Sequence, residues 1–110
     1  MKIALFRHGA PGTLAKLPGA FPEVEHVDCL GGFTRLTPIT KRLTLVTLED
    51  GEALELPVQY TLRRLDRAPQ RIYGDCLVAA LREDGTYTDV TPQDLRKAEQ
   101  YILPVRQAVV

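Results

Sequence analysis

Between Asp50-Gly51 and Arg63, the apolar residues Leu54, Leu56, Val58, Tyr60 and Leu62 fall at every second position. Only an extended chain puts residues i, i+2 and i+4 on one face, so the stretch predicts a half-buried strand with its polar neighbours toward water. Pro57 interrupts the run and has no N–H to give a ladder, so pairing is expected to break beside it. Asp50-Gly51 is a strong reverse-turn pair. It predicts that this strand folds back on the Leu-, Thr- and Val-rich segment 41–48 as a hairpin.

The same grammar recurs downstream. Residues 72–81 contain Leu77, Val78, Ala79, Ala80 and Leu81 in succession, which predicts a central strand covered on both faces. Asp84-Gly85 then predicts a second hairpin to residues 86–90. At the other end, Ile3 to Phe6 predict a first strand over 2–8, bounded by Gly9, Pro11 and Gly12, with residues 13–17 returning beside it. Two segments have helical punctuation. Pro22 with Glu23 and Glu25 opens one whose Val24, Val27 and Leu30 share a face and whose end is marked by Gly31. Thr91, Pro92 and Asp94 open the other with an Asp version of the capping box, Leu95, Ala98 and Ile102 mark its buried face, and Pro104 halts it. The Leu30-Gly31-Gly32-Phe33 step runs from helix into a strand over 33–39. A phosphate loop runs the opposite way, so the glycine pair reads as architecture. The expected fold is α+β: a mainly antiparallel sheet of about five strands built from hairpins, with two helices packed on it. One domain is expected over 1–104, followed by an apolar tail over 105–110 that the sequence does not classify.

Composition bounds function more than it names it. Apolar residues at 45% and charged residues at 25% suit a globular domain, and no apolar run is long enough to span a membrane. With no basic-then-apolar leader at Met1, the cytoplasm is the expected location. Fourteen Lys and Arg offset fourteen Asp and Glu, which argues against a DNA mimic and against a non-specific nucleic-acid binder. In that setting Cys29 and Cys76 are expected to be reduced core residues.

Three constellations invite chemistry. Arg7-His8-Gly9 at the end of the first strand is similar to the signature of the histidine phosphatase and phosphoglycerate mutase superfamily, in which the His carries the phosphoryl group and the Arg stabilises its charge. That match covers one strand end, in a chain whose other histidine, His26, has no matching context, and it is read as coincidental. A phosphoryl-transfer enzyme using His8 and Arg7 is the alternative function. His8, His26, Asp28, Cys29, Asp75 and Cys76 lack the paired spacing of structural zinc sites, so no metal is expected, and no cofactor is implied. Arg63, Arg64, Arg67 and Arg71 form the one local departure from charge balance, which Arg35, Lys41 and Arg42 could join in space. Guanidinium groups gathered this way suit phosphate, a nucleic-acid backbone or an acidic protein surface. With Tyr60 and Tyr73 as the nearby aromatics, base stacking is poorly supported.

The succession Leu30-Gly31-Gly32-Phe33, Glu49-Asp50-Gly51, Leu56-Pro57-Val58, Ile72-Tyr73-Gly74-Asp75 and Glu83-Asp84-Gly85 resembles a family of small uncharacterised domains encoded mainly by phages, plasmids and other mobile elements. The likeness runs from Lys2 to about Leu95, and the chain departs from it at Gln59, where an Asn is frequent. It implies a mobile-element accessory protein and supplies no reaction. The expected function is therefore a non-enzymatic accessory binding protein. It would act on a protein partner, or on nucleic acid, through a sheet edge or the arginine-bearing loop, and homodimerisation is open to it.

Overall fold

A computed structural model describes residues 1–17 and 34–105. The elements are β1 (Lys2–Phe6), β2 (Thr13–Lys16), β3 (Thr34–Pro38), β4 (Leu43–Leu48), β5 (Val58–Leu62), β6 (Gln70–Tyr73), β7 (Cys76–Leu81), β8 (Tyr87–Thr88), α1 (Pro92–Tyr101) and β9 (Ile102–Pro104). One sheet runs β2-β1-β7-β4-β3, with β8 also paired to β7; a second runs β6-β5-β9, and every pairing is antiparallel. The helix expected over 22–30, the Gly31-Gly32 step, His26 and Cys29 lie outside the described residues.

This corrects the expected architecture. In place of two helices on a single five-stranded sheet, the described residues form nine strands in two antiparallel sheets, with one ten-residue helix. Two local events create the second sheet. The first lies after β4. Residues 49–55 make a compact turn in which the Leu54, Glu55 and Leu56 amides donate to the carbonyls of Asp50 (2.9 Å), Glu52 (3.0 Å) and Gly51 (3.1 Å). Leu54, expected in the strand, is 63% exposed there. Extended pairing starts only beyond Pro57, with a register shift between Val58 and Tyr60, and it joins β5 to β6 and β9 instead of β4. The second event divides the stretch 72–81, expected as one strand. Gly74 takes φ +81° and splits it into β6 and β7, which belong to different sheets.

β7 has the central, doubly covered position expected of it. Its register places Val78 opposite Ala4 of β1 on one side and Leu45 of β4 on the other. Cys76, Val78 and Ala80 face the main core with Phe6, Leu45, Tyr60, Leu62, Val90, Ala98 and Ile102, while Leu77 packs with Ile3 and Val46 on the opposite face. Tyr60 couples the two sheets. Its ring meets Phe6 edge to face at 5.6 Å, and its hydroxyl donates to the Ala10 carbonyl at 2.7 Å. Full burial of side chains of this size stabilises by about 1.5–3 kcal/mol each.

The capping box at α1 forms as expected. The Asp94 amide donates to Thr91 Oγ1 at 3.1 Å and the Thr91 amide donates to Asp94 Oδ2 at 2.9 Å. Asp94 also receives both Arg42 Nε and Nη2 at 2.9 Å, so one carboxylate caps the helix and ties it to the β3–β4 turn. The Arg42 hydrogen bond is the main reason its carboxyl is held below the ordinary value. Helix and strand meet without a loop: α1 ends at Tyr101 and Ile102 begins β9.

Candidate functional site

The second sheet presents the arginine-rich loop. β5 ends at the buried Leu62, and the chain leaves through residues 63–69 before returning as β6. The loop is anchored at its base, where the Arg63 amide donates to the Tyr101 carbonyl at 2.8 Å, and Arg64 Nη1 reaches the Pro38 carbonyl at 3.0 Å. Between this loop and the last turns of α1 lies a groove of about 550 Å³. Arg63, Arg64 and Arg67 line it from the loop and Lys97 from the helix, with no carboxylate among its lining residues. Leu65, Pro69 and Tyr101 supply apolar surface, Leu65 being fully exposed. Lys97 Nζ lies 5.8 Å from the Tyr101 ring centroid, at the outer reach of a cation–π contact.

The structure thus gathers three of the four predicted arginines and separates the fourth. Arg71 lies on β6 and, with Arg35, lines a different hollow of about 690 Å³ that also holds Glu49, Asp50 and Glu52. Arg42 is engaged by Asp94, and Lys41 lines neither hollow. Sequence reasoning missed Lys97, Gln100 and Tyr101. Their i, i+3, i+4 spacing does place them on one helix face, but nothing in the sequence says that this face meets the loop.

Arg7, His8 and Gly9 form a reverse turn after β1. The Ala10 amide donates to the Arg7 carbonyl at 2.9 Å, with His8 at φ +54° and Gly9 at φ +72°. Two successive left-handed residues define the turn type that suits antiparallel strands, and His tolerates that conformation better than most side chains. The His8 amide donates to Asp75 Oδ1 at 3.0 Å, which joins this turn to the start of β7. Arg7 and His8 are both exposed, and the backbone alone accounts for a His-Gly pair here. Cys76 lies in the core as expected, its thiol pushed up to about 12 by burial and then by Asp75, so it is protonated and unreactive at neutral pH. Burial likewise pushes the Tyr60 phenol up to about 12. Among the described residues, no group of three His, Cys, Asp or Glu side chains is placed to hold a metal ion, and no helix is long and apolar enough to cross a membrane.

Comparison of the chain with protein-family models, with curated proteins and with solved structures finds no match.

Proposed function

We propose that the protein is a non-enzymatic accessory binding protein of the cytoplasm, of the kind carried by mobile elements, and that its groove takes an acidic segment of a protein partner. One observation supports this reading above the others: four cations converge on a groove that has no carboxylate in its lining and a fully exposed leucine at its rim. Asp66, in the adjoining hollow with Arg64 and Arg67, offsets these charges only in part, and an anionic ligand relieves the repulsion that remains. The apolar rim favours a polypeptide over a nucleic acid. A single-strand platform stacks successive bases on several aromatic rings, and this groove offers Tyr101 alone.

Each solvent-exposed ion pair contributes about 0.2–1 kcal/mol and a buried leucine about 1.5–3 kcal/mol, so four pairs and one leucine give at most about 7 kcal/mol before the cost of association, and an affinity no tighter than on the order of 10 µM is expected. Fluorescence anisotropy with a labelled peptide of glutamate and leucine tests the reading. Binding should weaken with added salt and vanish in the Arg63→Glu, Arg67→Glu variant while its circular dichroism is unchanged. Equal binding by that variant, or a preference for single-stranded DNA of the same length, would reject the groove as a site for acidic protein segments.

A further inference from the structure

The molecule carries, away from the groove, a feature of complementary charge and shape. The compact turn 49–55 bears Glu49, Asp50, Glu52 and Glu55, all exposed, and holds Leu54 outward at 63% exposure. Arg35 and Arg71 line the same hollow as Glu49, Asp50 and Glu52, but among the described residues no ion pair engages any of these four acids, which outnumber the two arginines. Three internal hydrogen bonds hold the turn in shape, so little conformational freedom is lost when it docks. No residue of the turn lines the cationic groove of its own molecule. In a chain of fourteen cationic and fourteen acidic residues, the acidic turn and the cationic groove lie apart and carry opposite charge, so a second copy offers the groove an acidic segment without net repulsion between the copies.

Resting on the groove reading above, we propose that its partner is a second copy of this chain, whose acidic turn 49–55 enters the groove with Leu54 against Leu65 and Tyr101. The two surfaces differ, so the contact is head to tail: each bound copy still offers one free turn and one free groove, and assembly continues unless the rotation closes a ring.

Sedimentation velocity on the full chain tests this, using the wild type, a groove variant (Arg63→Glu, Arg67→Glu) and a turn variant (Glu52→Lys, Leu54→Ser). The wild type should rise from the mass of one 12.3 kDa chain toward oligomers with concentration, and fall back in high salt. Each variant alone should stay monomeric. Mixed together, they should form a one-to-one dimer that grows no further, because the surviving groove of one meets the surviving turn of the other. A wild type that remains monomeric at every concentration, or variants that assemble as the wild type does, would overturn the proposal. The acidic peptide separates this failure from failure of the groove itself. If the turn variant binds the peptide while the wild type stays monomeric, self-assembly is refuted and the groove stands; if it does not bind, the groove reading falls too.

Discussion

At Asp84-Gly85 the chain reverses and β7 returns as β8. Gly85 adopts φ +85°, and Asp84 Oδ1 accepts from the Thr86 amide at 3.0 Å and its hydroxyl at 2.6 Å. At Asp50-Gly51 the same dipeptide opens a longer turn, and the strand that follows pairs in the other sheet. Gly51 is buried and does not have positive φ. It is a glycine because a Cβ there would lie 3.0 Å from the Tyr73 carbonyl oxygen and 3.1 Å from Tyr73 Cβ. Gly85 has nothing within 4 Å of that position. One glycine is required by backbone conformation, the other by close approach of the two sheets. An Asp-Gly pair makes a hairpin only when both flanking strands can pair, and here Pro57 and the 49–55 turn withhold the second strand.

This contrast orders the effects of substitution. Gly51→Val should be the most damaging, destabilising by about 2–3 kcal/mol in denaturant melts, because the contact is with backbone that cannot swing aside. A variant as stable as wild type would show that the sheets do not meet at Gly51. Gly85→Ala meets open space and carries only left-handed strain, so about 1 kcal/mol is expected, with the midpoint shifted and the slope unchanged. Should Gly85→Ala prove worse than Gly51→Val, the assignment of the two glycines would be reversed. Asp84→Ala should have the smallest effect, present at neutral pH and lost in acid. The Thr86 hydroxyl, then the Thr86 amide, hold the Asp84 carboxyl below its ordinary 3.8. A depressed carboxyl contributes stability that is present above the ordinary value and is lost as pH falls through the lower folded one. The difference between Asp84→Ala and wild type should therefore close below about pH 4, as thermal melts in acid would show.

Much of the first sheet was legible because its strands obey local rules. Ile3 to Phe6, the strands at 34–38 and 43–48, the Asp84-Gly85 hairpin and the capping box at Thr91 each depend on residues close in sequence. The pairing of 34–38 with 43–48 was not legible, since Asp50-Gly51 predicts that 43–48 pairs across that turn instead. The second sheet was illegible for a physical reason. Leu54 and Leu56 keep the strand period of Val58, Tyr60 and Leu62, so periodicity alone could not show that the turn extends to residue 55. Gly74 inside an apolar run could equally be a bulge, and only its φ of +81° shows that the chain changes sheets there. Nor does Pro104 end α1. The helix stops at Tyr101, and Ile102 to Pro104 pair with β5. The arginine loop was recognisable from its composition. Its partners Lys97 and Tyr101 were not, because they reach it only through the β5–β9 pairing.

The departure at Asp50-Gly51 therefore has two consequences: it leaves an acidic turn projecting from the first sheet, and it builds the second sheet that carries the cationic groove. The most direct measurement is a two-dimensional amide NMR titration, at low salt, of the full-length turn variant (Glu52→Lys, Leu54→Ser), which keeps the groove and stays monomeric, with the glutamate–leucine peptide. Resonances of residues 63–69 and 97–101 should shift together and saturate on one binding curve, while those of the 7–10 and 49–55 turns stay in place. Shifts centred on either of those turns, or scattered over the surface without saturation, would contradict the assignment of the groove as the binding site.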